Sequence, residues 1–599
     1  MSEDTNVNAV SHKVNSISYI RMFFFLLPRL LKAAPVMSIF INIVGVVHGV
    51  SHALEMFVNR YLFDAVTAAA GGGALDGLLA PVLAFGILYV SKTFLNGLHN
   101  FLYHPWEQKS IGAIRVALSE KCGQIDPIDF ENPELLDDIN KAKEGVMNAF
   151  VLPANLVTLF TFYVPFFIVS AAFLFTLKPL LLLIMLAMFV PAVLMLVVRT
   201  KLYSKLEERS APIRRKYEYF ESAICGKESF KETRLFGAFA FFKKLYYDSL
   251  MLLNKEMWKT EKKTVLTELF LRLFMLSGYF GMLYALFYYL MRGEISVGSF
   301  AAVFSALGTL CMIIEEIVVR HLGNIAKDVG KVQNLVRFLK MPARRGSDEY
   351  VDRSGDIVLE NVSFRYPGAA EDAVKGVSLT IRSGETLAIV GENGAGKTTL
   401  MRLICGIYLP APGGRVLAGD KDLSTVEPGR AYADTSAVFQ RVQRYQMTLH
   451  DNIDIGGLGG DVTGSLHKAD LAPTDASLFP DGLDTMLSRE FDGVDLSGGQ
   501  WQRVSIARGL HRPSVLILLD EPTAAIDPIE EARTYERFAE LSKDQTSIIV
   551  THRMGSVKIA DRILVLDAGR IDDIGTHDEL MQKGGLYATM WQSQAQWYA

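Results

Sequence analysis

Apolar residues run almost unbroken from Phe150 to Val198, with Lys178 as the single charge. A helix needs about 20 apolar residues to cross the hydrocarbon of a bilayer, so this stretch predicts two spans hinged at Leu177-Lys178-Pro179. Four further stretches each fit one span: Ala34–Leu54 without charge, Leu78–Leu98 with Lys92, Leu269–Met291 with Arg272, and Phe300–Ile314 ahead of Glu315. Ile17–Ala33 is different. Arg21, Arg29 and Lys32 share it with a phenylalanine-rich face, the pattern of a helix lying in the membrane surface. Residues 17–340 therefore predict an elbow helix and six spans, after a polar tail at 1–16 that does not resemble a cleavable signal peptide.

Basic residues orient these spans. Segment 199–263 carries Arg199, Lys201, Arg214, Arg215, Lys216, Lys243, Lys244, Lys262 and Lys263, and segment 107–145 carries Lys109, Arg115, Lys121, Lys141 and Lys143. The short connections Ala68–Gly77 and Leu177–Pro179 hold almost none, so both long loops and both termini are expected in the cytoplasm. The long loops keep helical patterning, as in VRTKLYSKLEERSAPIRRKYEYFESAI. Roughly forty helical residues reach ~60 Å, about twice the hydrocarbon thickness. Spans two to five are thus expected to project as two helical hairpins.

From Asp356 the texture changes to short β-type runs broken by Gly and Pro, which makes 341–355 a linker and 356–599 a soluble domain. Net charge is −4, which gives no electrostatic ground for a nucleic-acid partner. Four scattered cysteines, Cys122, Cys225, Cys311 and Cys405, show no metal-ligand or redox spacing.

The strand-like run Thr386–Val390 leads into Gly391-Glu-Asn393-Gly394-Ala-Gly396-Lys397-Thr398-Thr399 and then a helical stretch. Glycines let backbone N–H groups turn toward phosphates. Lys397 supplies a point charge, and the Thr398 hydroxyl can ligate Mg²⁺. Downstream, the apolar run Val515–Leu519 is what a strand buried on both faces needs, and it ends in Asp520 and Glu521. Asp520 is expected to hold Mg²⁺, and Glu521 to act as base on the attacking water. Between the two elements, Leu496-Ser497-Gly498-Gly499-Gln500 opens a helical stretch, a helix N-terminus ready to bind an anion.

This last motif matches without change the signature of the ATP-binding cassette (ABC) transporters, and the chain resembles an exporter-type half-transporter of that family. The resemblance implies a multidomain fold: an all-α six-span transmembrane domain with long cytoplasmic helical extensions, followed by an α/β P-loop ATPase domain with antiparallel β and helical subdomains. It implies ATP and Mg²⁺ as cofactors. Tyr366 looks like the aromatic that stacks on adenine, and Gln440 like the glutamine that senses Mg²⁺. Asp527 matches the loop linking two active sites, and His552 resembles the histidine that contacts the γ-phosphate and orients the base. Ala524-Ala525-Ile526 departs from the more usual Ser-Ala-Leu before Asp527, with no expected loss of activity.

In this family the signature acts on nucleotide held by the opposite subunit, so a second half-transporter, identical or paralogous, is implied. Gln124–Asp138 and Ala223–Gly237 match the positions of the helices that couple the two domains, the second reaching the partner's cassette. The lipid bilayer and an unknown solute are the other expected partners, in a bacterial cytoplasmic membrane, most simply in export. Siderophore-type import on the same layout and an ATP-gated channel are the alternatives; intact Glu521 favours a pump. Glu315 and Glu316 are candidate solute contacts, since ionisable residues within spans are functional suspects, with solvated charges as the plain reading. His48 and His52, four apart, have spacing that can bind metal, but two ligands are too few for a site. Glu55 and Arg60 can mark the water interface.

Overall fold

A computed structural model describes residues 19–596 except 73–74, 228, 318–320, 322 and 523–544. It divides into two compact units: one takes the chain up to Gly123 together with Asp137–Met341, the other Gln124–Leu136 together with Pro342–Ala599.

The first unit is helical. Helix α1 (Tyr19–Ala33) buries Met22, Leu26 and Leu30 along one stripe and leaves Ile20 and Phe24 exposed, the two-faced pattern that its sequence predicts. Then come α2 (Pro35–Ala70), α3 (Leu79–Gly123), α4 (Pro133–Thr158), α5 (Val164–Leu177), α6 (Pro179–Cys225), α7 (Phe230–Leu235), α8 (Phe239–Met291), α9 (Val297–Glu315) and α10 (Gly323–Leu339). Among the described residues, six helical stretches are long and apolar enough to cross a membrane, with α4 and α5 forming one of them. Lys178 is extended between α5 and α6, and Pro179 starts α6 without needing an N–H partner, so the hinge lies where the sequence predicts it. Helices α6 and α8 have 47 and 53 residues. At 1.5 Å per residue they are about 70 and 80 Å long, far beyond a hydrocarbon core.

The first span departs from its expected end at Leu54, because α2 continues to Ala70. Of the charges that suggested an interface, Glu55 has its partner on a neighbouring helix, and Arg60 pairs with Asp64 one turn on in α2 at 3.6 Å. Glu55 pairs with Lys92 of α3 at 2.5 Å, and Asp64 Oδ1 accepts the Gly298 N–H of α9 at 3.0 Å. Asn59 donates to Ser305 Oγ of α9 at 3.0 Å. A π-helical turn, Leu159–Tyr163, joins α4 to α5 and presses against α2 where Gly45 and Gly49 lie four residues apart. A Cβ at Gly49 would run into the Phe162 carbonyl, so a side chain there is excluded by backbone rather than by a movable group.

The second unit has a four-stranded antiparallel sheet and a six-stranded sheet. Strands β1 (Ile357–Phe364), β2 (Val374–Ile381), β4 (Arg415–Ala418) and β5 (Lys421–Asp422) make the first, in the order β2-β1-β4-β5. The second runs β10-β9-β3-β8-β7-β6, from β3 (Thr386–Val390), β6 (Thr435–Val438), β7 (Leu516–Asp520), β8 (Thr546–Val550), β9 (Arg562–Asp567) and β10 (Arg570–Gly575). All its pairings are parallel except β10 with β9. Strands β7 and β8 are buried at every position, as a parallel strand covered on both faces must be. Helices α11 (Lys397–Ile404), α12 (Pro428–Ala431), α13 (Leu449–Ile453), α14 (Val462–Lys468) and α15 (Gly498–His511) follow in chain order.

The stretch expected as a linker, 341–355, does not behave as one. Arg344 donates to the carbonyls of Gly406 and Leu423 at 3.0 Å each. Arg353 is fully buried and donates to Cys405 O at 3.0 Å and Ala431 O at 2.6 Å. A buried guanidinium needs partners for its donors; the Nη groups of Arg353 find carbonyls at the end of α11 and in α12 while its Nε does not, and these bonds tie the stretch to the second unit.

Candidate nucleotide site

Four neighbouring strands of the six-stranded sheet, β3, β8, β7 and β6, carry the candidate residues at or just past their C-terminal ends. Past β3, Gly391, Gly394 and Gly396 have φ of 153°, 84° and 98°, values that an L side chain rarely adopts. This loop returns the chain into α11 at Lys397. The Lys397 ammonium donates to the carbonyls of Gly391 and Glu392, both at 2.9 Å, and so closes the loop on itself. Its burial lowers its pKa, while Glu521 and Asp520 nearby oppose that shift. Asn393 stands exposed on the rim.

Past β7 come Asp520 and Glu521. Asp520 is buried and accepts from Thr398 Oγ1 at 3.0 Å. Burial raises its carboxyl above the usual range, and the Thr398 hydrogen bond works the other way. Glu521 has a φ of 46°, an uncommon conformation for a glutamate, which turns its side chain away from the strand line. Its Oε2 accepts from Gln440 Nε2 at 2.6 Å, and its Oε1 lies 2.9 Å from His552 Nδ1. Gln440 stands two residues past β6 and His552 two past β8, so the parallel sheet itself gathers these three side chains from distant sequence.

Thr398 and Asp520 offer adjacent hard oxygen donors, and Gln440, bonded to Glu521 next in sequence to Asp520, carries an amide oxygen as a third. That donor set fits Mg²⁺. Tyr366 donates to or accepts from Thr399 Oγ1 at 3.0 Å and packs against Phe364. It thus stands beside the first turn of α11.

Ser497 caps α15. Its hydroxyl accepts from Gln500 N at 3.3 Å, and Gln500 Oε1 accepts from Ser497 N at 2.7 Å, a reciprocal capping box. Gly498 and Gly499 form the first turn of that helix. Among the described residues no hydrogen bond of Ser497 or Gln500 reaches the loop 391–399, Asp520 or Glu521. Asp527 lies outside the described residues.

In the helical unit, Glu315 pairs with Arg272 of α8, so its charge is countered within the bundle, and Glu316 follows it, half-buried. His48 and His52 share a hydrogen bond at 3.2 Å and pack on Phe162. Among the described residues no group of three or more His, Cys, Asp or Glu is arranged to hold a metal ion. Three residues that sequence reasoning passed over, Glu131, Arg402 and Tyr408, form a polar cluster within the second unit. A lone glutamate in a charged loop carries no signal of such a contact.

Two family models match the chain: the ABC transporter transmembrane region over residues 38–314 and the ABC transporter model over 374–524. The subtilin transport ATP-binding protein SpaT of Bacillus subtilis is 27% identical over 583 residues, 93% of this chain and 92% of that protein. The mycobactin import ATP-binding/permease protein IrtB of Mycolicibacterium thermoresistibile is 37% identical over 268 residues, 44% of this chain and 45% of that protein. An ATP-dependent lipid A-core flippase of Shewanella frigidimarina is 31% identical over 318 residues, 52% of each chain. Among solved structures, a bacterial Atm1-family ABC exporter with ATP bound superposes with a TM-score of 0.72 at 22% identity, over 95% of this chain and 98% of that one, a likeness of fold.

Proposed function

We propose, since this chain belongs to the ABC transporters and couples an ATPase to transport across a membrane, that two such halves assemble and move a solute by alternating access. The observation that carries the ATPase chemistry is Glu521, held between Gln440 and His552 beside the phosphate loop. On this reading backbone N–H groups of Gly391–Gly396 and the Lys397 charge hold the phosphates, and Tyr366 stacks on adenine. Thr398, Asp520 and Gln440 hold Mg²⁺, which when bound supplies positive charge to the phosphate oxygens. Glu521 takes the proton of the attacking water, and His552 keeps its carboxylate in place. The free amides at the start of α15, with Ser497, bind the γ-phosphate of nucleotide held by the partner chain.

Because each chain then supplies half of each site, nucleotide joins the two cassettes and hydrolysis releases them. The segment Ala223–Gly237, with exposed Leu235 and Phe236, suits contact with the partner's cassette. Both termini and the long hairpins lie in the cytoplasm of a bacterial cell. Export is the better reading of direction. The relative matched along nearly its whole length is a transport protein for subtilin, whereas the importer is matched over less than half its length.

Complementation tests the shared site. Lys397→Ala disables one chain's phosphate loop and Ser497→Arg its signature. Each variant alone is expected to hydrolyse ATP at under about a hundredth of the wild-type rate. Co-expressed and co-purified through two different tags, they rebuild one intact site per dimer, and roughly half the wild-type rate should return. Mixed dimers no more active than either parent would contradict the shared site.

A further inference from the structure

The segment Gln124–Leu136 joins α3 to α4 by chain, yet it folds with the second unit. Its short 3₁₀ turn, Pro127–Glu131, is capped by Asp126, and Ile128 packs on the hydrophobic core that holds β3 and α11. Glu131 Oε1 accepts from Tyr408 Oη at 2.5 Å and from Arg402 Nη1 at 3.3 Å, and Arg402 Nη1 also donates to Tyr408 Oη at 2.8 Å. Arg402 lies on α11, the helix that the phosphate loop opens.

Tyr408 is buried, and its ring packs against two other aromatic rings. It stacks on Phe364 with centroids 5.1 Å apart and planes within 3°, and meets Tyr366 edge-on at 5.9 Å. Tyr366 meets Phe364 edge-on at 5.1 Å as well, so the three rings brace one another. Burial and the Glu131 hydrogen bond push the Tyr408 phenol up, which keeps its hydroxyl a donor. One end of this aromatic set is therefore Tyr366, and the other is a hydroxyl fastened to the α3–α4 loop.

We propose that Tyr408 is a positioning residue that reports a nucleotide's aromatic base to the α3–α4 loop through its hydrogen bond to Glu131. The inference rests on the reading that Tyr366 stacks on adenine. A base against Tyr366 narrows the freedom of that ring, the ring set narrows the freedom of Tyr408, and its hydroxyl steadies Glu131. A phosphate chain without a base offers no ring to pack against Tyr366, so it leaves the first step of this route unmade.

The test uses the full chain in lipid nanodiscs, arrested with Glu521→Gln, and follows amide hydrogen exchange in 124–136, where the Asp129 and Asn132 N–H groups are already bonded within the turn. ATP with Mg²⁺ is expected to slow that exchange about tenfold, a coupling of ordinary size, and inorganic tripolyphosphate with Mg²⁺ is not. Tyr408→Phe keeps every ring contact and removes only the hydroxyl. It should hold ATP within about threefold of its parent and lose the slowing. Glu131→Ala, at a part-exposed position, should do the same. Slowing that persists in Tyr408→Phe, or that tripolyphosphate reproduces, overturns the relay while leaving the nucleotide site standing. Failure of the Glu521→Gln parent to retain radiolabelled ATP overturns the nucleotide reading, and the relay with it.

Discussion

Glu521→Gln should lower ATP turnover by about a thousandfold, within the 10²–10⁴ range for removing a general base, while ATP affinity changes by less than about threefold. The reason lies in what the substitution leaves in place. Glutamine matches glutamate in size, and its amide oxygen can still accept from Gln440 or His552, whose atoms lie 2.6 and 2.9 Å from the present carboxylate. What is lost is the basic oxygen that takes the proton from water. The phosphate loop, closed by Lys397 on the Gly391 and Glu392 carbonyls, is untouched. Phosphate release and equilibrium ATP binding, measured on the same preparation, separate the two effects. Turnover within tenfold of wild type would remove Glu521 from the proposed role.

Lys397→Ala should act on binding instead. The ammonium is buried and already held by two carbonyls, so ATP finds it in place and need not order it. A hydrogen bond to a charged group contributes roughly 1.5–3 kcal/mol, so losing it should weaken ATP about 10- to 150-fold at 1.4 kcal/mol per decade. Alanine also leaves the Gly391 and Glu392 carbonyls without their donor, which loosens the loop. Calorimetric titration with ATP and Mg²⁺ reads the change. Lys397→Arg should not restore affinity, because a planar fork cannot occupy the seat of a compact ammonium. Unchanged affinity in Lys397→Ala would mean that the nucleotide lies elsewhere.

Much of this site was legible in the sequence because its signals are local. The glycines of 391–396 stand where the backbone needs positive φ, Lys397 opens a helix, and the apolar run before Asp520 can only be a strand covered on both faces. The hinge at Lys178 was legible for the same reason, since a charge and a proline interrupt an otherwise unbroken apolar run. What escaped depends on partners far away in the chain. Glu55 and Arg60 read as marking the water interface near the end of the first span, but Glu55 pairs with Lys92 and Arg60 with Asp64, and α2 continues past both to Ala70. Arg353 falls in the stretch that reads as a linker, yet it is buried on the carbonyls of Cys405 and Ala431, which lie far from it in the chain. The π turn at Leu159–Tyr163 leaves no periodic trace, and its only correlate, the Gly45 and Gly49 pair, lies on another helix. Glu131 and Tyr408 stand 277 residues apart.

The measurement that bears most directly on the whole account is ATP-driven transport in proteoliposomes, comparing the wild type with Glu521→Gln against lipids, peptides, dyes and metal chelates. One class is expected to accumulate against its gradient in the wild type, and that accumulation to vanish in the variant. Flux down a gradient that persists in Glu521→Gln once ATP is bound would contradict it, because the chain would then be a gated pore and not a pump.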